Sequence, residues 1–255
     1  MSDVFLPNLQ PAALNVPYHS QLEEGALRYR NDCGAACGAM LLEALTGERQ
    51  TVDEFYRLTG AGGDRYLAAG ELMRVLGARR APCAWREGLT AGDLLEALSA
   101  RKPAICLVSY AVLREAGLTE SSFGGPHFLL AVGMDVLRVS VHDPLYRGQG
   151  GRFKTYPLAV FLRAWEAAGK DGSGNPACGA LIPHYRLGDA LPPVKRVRVW
   201  AENGLNIRRG PGKHYERLAA LRCGETAGVE EERGGWGKLA GLPGWICLEF
   251  VNEEP

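Results

Sequence analysis

The first part of the chain has the spacing of apolar residues that is typical of helices. The clearest helix is predicted to begin at Cys33 and to end at Thr46-Gly47, with small residues on its early turns and large apolar residues later. The small residues are expected to let another layer of structure approach closely. Three further helices are predicted: Val52–Leu58, 68–76 with Gly77 as its end, and one that opens at a Thr90–Asp93 capping box and turns Leu94, Leu95 and Leu98 inward.

From residue 103 the pattern changes to that of strands. The apolar run 103–108 is typical of a buried strand, 127–133 is a second such run, and 137–143 alternates between apolar and polar residues. A helix over 158–168, a glycine-rich loop over 169–175 and a strand over 180–185 complete this part. Helices first and antiparallel strands afterwards predict an α+β fold.

The last quarter of the chain has a different composition. Residues 188–193 contain Gly and two Pro and predict a stiff linker, and 194–251 has short β-type runs broken by Gly and Pro. We therefore predict two domains, 1–187 and 194–255, of which the second is a small all-β barrel. Leu205 and Ile207 should point into its core, and Trp236 and Trp245 are expected to supply core bulk more than a ligand platform.

Composition excludes several classes of function. With 29 Lys+Arg against 29 Asp+Glu, the net charge is zero, so nothing favours a nucleic-acid partner. No apolar run approaches the roughly 20 residues of a membrane span, so membrane insertion is not expected. The seven cysteines are an odd number without tight spacing, which favours reduced thiols over a disulfide framework.

The beginning of the sequence bears on location. It lacks a basic segment followed by an apolar core, so no signal peptide is expected and a cytoplasmic location follows. A phage-type lysin released by other means to act on the cell wall would fit as well as an intracellular peptidase.

The candidate chemistry centres on Cys33, at the first position of the predicted helix. Unpaired N–H groups and the positive end of the helix dipole favour a thiolate there, which would be a nucleophile at neutral pH. Cys33 could instead be a small core residue. With Cys37 it could also bind a metal, but no further ligands follow at a suitable spacing, so neither a metal nor a cofactor is expected.

A cysteine nucleophile needs a base and a group that orients the base. His127 follows Gly124-Gly125-Pro126 at the mouth of an apolar strand and is the predicted base. Asp135 lies eight residues further along that strand, roughly 26 Å away, and cannot reach it. Asp143 ends the next strand, and a hairpin turn at 134–137 would place residue 127 opposite residue 144, so Asp143 is the predicted orienting acid.

Two assignments remain open around this group. His142, beside Asp143, is a second candidate base, although strand alternation should turn it away from Asp143. The backbone N–H of Cys33 can stabilise an oxyanion, and the side-chain amide of Gln21 is the candidate second donor. Asn31 is closer to Cys33, but an Asn just before a helix more naturally caps it.

Four ordered motifs resemble the papain-like cysteine peptidases of family thirty-nine, which include bacteriocin-leader peptidases and stand-alone relatives: residues 16–21, 32–36, 125–133 and 142–144. The resemblance covers about residues 14–185 and implies a papain-like fold. It implies Cys33 as nucleophile, His127 as base, Asp143 as orienter and Gln21 as oxyanion donor, with peptide-bond hydrolysis through a Cys33 thioester. In that family the Gln usually lies only a few residues before the Cys; here twelve positions separate them, and 22–31 would be an insertion.

The last part resembles bacterial SH3-like domains, on the segments 204–212, 235–239 and 244–247. Such domains often accompany cell-wall hydrolases and hold them on peptidoglycan peptides. The resemblance implies a peptide or peptidoglycan as substrate and binding partner. Two other functions stay open: an inactive peptide-binding protein on the same fold, and a Cys-His-Asp acyltransferase of the transglutaminase-like kind.

Overall fold

The structure is a computed structural model that describes residues 12–23, 32–62, 65–168, 177–191 and 194–254. These residues form two antiparallel sheets with helices around the first. The helices are α1 (Cys33–Thr46), α2 (Val52–Leu58), α3 (Ala69–Ala78), α4 (Ala91–Ser99), α5 (Tyr110–Glu115) and α6 (Leu158–Ala167). No helix in the described ranges is long and apolar enough to cross a membrane.

The first sheet has six strands in the order β1-β6-β2-β3-β4-β5. They are β1 (Cys83–Arg86), β2 (Ala104–Ser109), β3 (Pro126–Met134), β4 (Arg138–His142), β5 (Lys154–Pro157) and β6 (Ala180–Pro183). The predicted mixture of helices and antiparallel strands is therefore confirmed. The short elements β1, α5 and β5 were not predicted, and the predicted loop 169–175 lies outside the described residues.

This sheet lies between two layers of helices. On β3, Phe128, Leu130 and Val132 pack with α1, α2 and α3. Leu129 and Ala131, which alternate with them, pack with α4, α5 and α6. Because both faces of β3 are buried, the strand reads as a continuous apolar run rather than an alternating one.

Helix α1 is the central helix of the first layer, and its early turns are crowded. A Cβ at Gly38 would lie 2.3 Å from the ring of Phe55 in α2, and one at Gly34 would lie 3.3 Å from the ring of Phe128 in β3. The small residues thus admit α2 and β3, as predicted. The helix ends at Thr46, where Gly47 takes φ 75° and donates its N–H to Glu43 O, also as predicted.

Two predictions about the shorter helices are wrong. Leu95 is 41% exposed, because α4 buries only the stripe formed by Leu94, Ala97 and Leu98. Gly77 does not end α3 but remains helical within it. A Cβ at Gly77 would lie 1.9 Å from Ala240 O, so this glycine admits the backbone of the second sheet.

The second sheet has seven strands in the order β13-β7-β10-β11-β12-β8-β9. They are β7 (Lys195–Val199), β8 (Leu205–Arg208), β9 (Arg217–Leu221), β10 (Thr226–Arg233), β11 (Trp236–Leu239), β12 (Trp245–Cys247) and β13 (Val251–Glu254). Leu205 and Ile207 are buried in its core, as predicted. Trp236 and Trp245 are only half-buried, so their predicted role as core bulk is wrong; the core is aliphatic.

The second sheet packs directly on α3. Arg74 is 5% exposed and donates from Nη1 to Thr226 O at 3.2 Å, while its Nη2 donates to Thr59 O. Glu225 Oε1 lies 3.8 Å from the same guanidinium. A Cβ at Gly228 would lie 2.4 Å from Gly77 O. The contact is thus made by two glycines, backbone against backbone, next to a buried cation.

We predict that Gly77→Ala destabilises the protein by about 1–3 kcal/mol, because a methyl group there must displace the Ala240 carbonyl. Gly70→Ala in the same helix is the matched control, since nothing lies within 4 Å of its added Cβ. That change should leave the free energy of unfolding unchanged or raise it by up to about 1 kcal/mol. Urea unfolding of both variants measures this. Equal stability of Gly77→Ala and the parent protein would contradict the described contact.

Candidate active site

Cys33 is the first residue of α1 and is 5% exposed. The residue before it, Asp32, is fully buried at the helix N-cap position, where a carboxylate suits the positive end of the helix dipole. Asn31, the predicted cap, lies outside the described residues. The backbone N–H of Cys33 is in the first turn, where N–H groups have no partner within the helix.

His127 lies near the start of β3, paired with Val108 of β2. It is 1% exposed, and its Nε2–H donates to Asp143 Oδ1 at 3.0 Å. Nδ1 is therefore the nitrogen left for the Cys33 thiol. Burial lowers the pKa of His127, but the hydrogen bonds and charges of Asp143 and Cys33 outweigh it and raise the pKa to about 10.

Asp143 is fully buried and accepts four hydrogen bonds. Oδ1 accepts from His127 and from the Leu145 N–H at 3.0 Å, and Oδ2 accepts from the hydroxyls of Tyr110 at 2.8 Å and Tyr156 at 2.9 Å. Burial alone would raise the pKa of this carboxyl, but the hydrogen bond and charge of His127, followed by the hydrogen bonds from Tyr110 and Leu145, lower it below its ordinary value. Asp143 is thus a carboxylate at neutral pH with every lone-pair site engaged.

The main chain of Asp143 is fixed as firmly as its side chain. Its N–H donates to Gly151 O at 2.9 Å, and its carbonyl accepts from the Tyr18 hydroxyl at 2.8 Å. A Cβ at Gly151 would lie 1.8 Å from that carbonyl, so only glycine leaves it in place.

The pairing register of β3 and β4, the hairpin that joins His127 to Asp143, differs from the predicted register by one residue at Leu130. The prediction places Leu130 opposite Val141, whereas Leu130 pairs with His142 and the register shifts between Ala131 and Gly133. The predicted juxtaposition of His127 and Asp143 is nevertheless observed, because the loop after β4 turns the Asp143 side chain to the imidazole.

Two neighbouring residues have structural surroundings. Asp135 lies in the hairpin turn, where its Oδ1 accepts the N–H groups of Leu137 at 2.7 Å and Arg138 at 2.8 Å. His142 accepts the Phe153 N–H at Nδ1, and its Nε2–H donates to Val16 O. Burial lowers the pKa of His142, which keeps it neutral and fully hydrogen-bonded. The structure thus brings His127, and not His142, to Asp143.

Gln21 lies beside the residue that follows Asp143. It is 6% exposed, and its backbone N–H donates to Pro144 O at 3.0 Å. Ser20 Oγ also donates to Pro144 O, at 3.3 Å. Most of the predicted insertion before Cys33, residues 24–31, lies outside the described ranges. The role of Gln21 as oxyanion donor stays a prediction.

Cys37 lies on α1, one turn after Cys33, and packs against β3. Its Sγ donates to Phe128 O at 3.5 Å, and burial raises the pKa of its thiol well above the ordinary value. It is therefore a protonated packing residue, whereas the Cys33 thiol is close enough to His127 to raise the pKa of the imidazole.

Sequence reasoning missed Tyr110 and Tyr156, which hold Asp143. Tyr110 begins α5 directly after β2, and Tyr156 lies on β5 opposite Val139. No local motif marks either residue. The only signal was an isolated tyrosine at the end of one apolar strand and another within a short alternating run.

A second candidate surface lies on the second sheet. It is a groove of about 510 Å³ whose lining includes the aromatic rings of Trp200, Trp236 and Phe250 and the cations Arg208 and Lys213. Trp200 is 49% exposed and lies 5.8 Å, centroid to centroid, from the ring of Phe250. Trp245, by contrast, is not part of this lining.

Solved structures show similarity in fold. A candidate C39-like peptidase from Bacillus anthracis matches with a TM-score of 0.50 and 18% identity, over 70% of this chain and 100% of that chain. At that identity the likeness concerns the fold alone. Ly7917 with the hydrolyzing product of MDP has a TM-score of 0.18 at 14% identity, over 59% of this chain and 61% of that one. A second Ly7917 structure has a TM-score of 0.20 at 14% identity, over 86% and 92%. These two likenesses are too low to inform the fold.

None of the curated proteins matches the chain significantly. The Peptidase_C39 like family, however, matches residues 13–173, which include Gln21, Cys33, His127 and Asp143. Family membership indicates a peptidase or amidase. Because this match spans more than half of the sequence, the chain belongs to the Peptidase_C39 like family.

Proposed function

We propose that this protein is a cysteine peptidase or amidase that acts on bacterial cell-wall peptides or other bacterial peptides through a thioester on Cys33. The observation that carries the proposal is the arrangement of His127 between a buried, ionised Asp143 and the Cys33 thiol. This is the geometry that an ion pair of thiolate and imidazolium requires.

The reaction would follow in two steps. The Cys33 thiolate attacks the carbonyl carbon of the scissile bond, and the imidazolium of His127 gives its proton to the departing amine. Water then attacks the thioester while His127 takes a proton from it, which releases the acid and restores the thiolate. The Cys33 N–H and the Gln21 amide would stabilise the oxyanion in both steps.

The proposal divides the labour between two domains. Residues 1–187 would carry the chemistry, 188–193 would be the linker, and 194–255 would localise the enzyme as an SH3-like domain. The groove on the second sheet supports this division, because aromatic rings and cations suit the backbone and carboxylates of a peptide. Removing the second sheet would expose the buried Arg74, so point substitutions test the division more cleanly than a truncation.

We predict that His127→Ala slows carboxamidomethylation of Cys33 at pH 7 by about tenfold or more, because it removes the cation beside the thiol. The His127 pKa of about 10 sets the sign of the pH dependence. The imidazolium is present below that pH and lost above it, so the two proteins should converge above pH 10. Peptide mapping after brief iodoacetamide treatment measures the rate. The exposed Cys223 is the internal control and should react equally in both proteins; an unchanged Cys33 rate would remove the ion pair from the proposal.

We predict that Cys33→Ser lowers turnover by about a thousandfold or more, whereas Cys37→Ser keeps turnover within a few-fold. The matched pair separates loss of the nucleophile from loss of a buried thiol, because serine at 37 can still donate to Phe128 O. Mass spectrometry of products from purified muropeptides and a peptide library gives the rates and the bond cleaved.

The same products distinguish the alternatives. Hydrolysis products in the presence of added amine support a peptidase, and amine adducts in their place would show an acyltransferase. Binding of these peptides without any product would indicate an inactive peptide-binding protein. Full activity of Cys33→Ser would overturn the proposed nucleophile.

We predict that Trp236→Ala lowers co-sedimentation with insoluble peptidoglycan by about tenfold, while hydrolysis of a small soluble peptide is unchanged. The groove loses an aromatic side chain, whereas the hydrogen bonds described for His127 and Asp143 involve no residue of the second sheet. Trp245→Ala is the control, since that half-buried Trp does not line the groove. Equal losses in both variants, or none in either, would count against targeting by this groove.

A further inference from the structure

Two tyrosine hydroxyls converge on the oxygen of Asp143 that does not face His127. Tyr110 and Tyr156 are 0% and 1% exposed and donate to Oδ2 at 2.8 and 2.9 Å. They come from different elements, α5 and β5, so no local turn explains their meeting. Burial, followed by the charge of Asp143, raises the pKa of both phenols, which therefore keep their protons and act as donors.

Tyr110 contacts both His127 and Asp143. Its hydroxyl holds Asp143, and its ring packs edge-on against the His127 imidazole, with centroids 4.7 Å apart at 67°. This ring contact restricts rotation of the imidazole about Cβ–Cγ. Tyr110 thus fixes the orientation of the base directly and through the carboxylate.

The hydrogen bonds continue beyond Tyr110 to Thr119 and Tyr146, and only one assignment of donors and acceptors is possible along this chain. Thr119 Oγ1 lies 3.1 Å from the Tyr110 oxygen and 2.9 Å from the Tyr146 oxygen. Because the only hydroxyl proton of Tyr110 goes to Asp143, the Thr119 hydroxyl donates to Tyr110 and accepts from Tyr146. Each donor polarises the next, and the chain ends on the carboxylate.

We propose that Tyr110 and Tyr156 are positioning residues of this site: their hydroxyls hold Asp143 ionised and fix it with one oxygen on the Nε2–H of His127. The proposal rests on the proposed function of Cys33 and His127. Without the hydroxyls, Oδ2 would lose both of its donors, and the buried carboxylate would keep only two of its four hydrogen bonds. The carboxylate would then take up a proton more readily, or rotate away from the imidazole.

Other titratable groups around Asp143 must be considered in any pH experiment. His127 faces it from β3, and Tyr18 binds its main-chain carbonyl from the N-terminal segment. Cys37 on α1 is close enough for Asp143 to raise the pKa of its thiol. Of these groups, only His127 donates to the side-chain carboxylate. A shift of the pH profile that appears only in the Tyr110 and Tyr156 variants can therefore be assigned to the carboxylate of Asp143 and not to Tyr18 or Cys37.

The experiment compares Tyr110→Phe, Tyr156→Phe and the double variant with Tyr56→Phe. Tyr56 is the matched control: it is also buried, but its hydroxyl donates to the Arg65 carbonyl. Each single change at Asp143 should lower kcat/KM several-fold, and the double change by about tenfold or more. The acid limb of the pH profile should move to higher pH, because the Asp143 pKa rises when donors are removed. A merely structural role would lower activity equally at every pH.

A proton NMR spectrum gives a readout that needs no turnover. The downfield resonance of the His127 Nε2–H should shift or broaden in the Tyr110 and Tyr156 variants and remain in Tyr56→Phe. If the double variant does not fold, the two single variants decide. An unchanged acid limb and resonance in the folded variants would overturn the positioning role, even where Cys33→Ser is inactive. Full activity of Cys33→Ser would instead overturn the proposed function.

Discussion

The charge on Asp143 is the constraint around which the first sheet is assembled. An ionised carboxylate that is removed from water costs several kcal/mol unless hydrogen bonds replace its hydration. Here the replacements come from β3, α5, β5 and the loop after β4, while the N-terminal segment and Gly151 fix the main chain. These elements are far apart in sequence, so the carboxylate is satisfied only when β3, β5, α5 and the loop after β4 are all in place.

The same burial explains why the histidine can hold its proton. Desolvation alone would make His127 a weak base, but a carboxylate in a low-dielectric surrounding acts on it strongly. The helix and the sheet therefore supply different halves of one site: α1 brings the thiol, and β3 brings the imidazole. The small residues at Gly34 and Gly38 let the sheet and α2 approach the start of that helix closely.

What the sequence could predict depended on whether the signal was local. The ends of α1 and the capping box of α4 were predictable, because a cap is encoded within a few residues. Asp143 was predictable by reach, although the turn pairs Met134 with Val139, two residues from the predicted register, and the bulge between Ala131 and Gly133 reduces this difference to one residue. Gly77 was misread because a glycine can end a helix or admit a distant backbone, and only the fold distinguishes these roles.

Tyr110 and Tyr156 were missed because their partner lies on another element. Strand β1 was missed because it is four residues long and pairs with β6, about 100 residues away.

The contact of the second sheet with α3 has a consequence for geometry. At Gly77 and Gly228 the backbone of α3 is in direct contact with the backbone of the second sheet, and the Arg74 side chain is hydrogen-bonded to that backbone. The sheet therefore cannot rotate relative to α3 without breaking these contacts. A flexible linker would let the distance between the groove and Cys33 vary. Direct packing of the second sheet on α3 fixes this distance, so a polymer bound in the aromatic groove would reach Cys33 at a constant distance from its binding point. If the groove binds a polymer as proposed, this fixed distance would select bonds by their spacing along the polymer as well as by their chemistry.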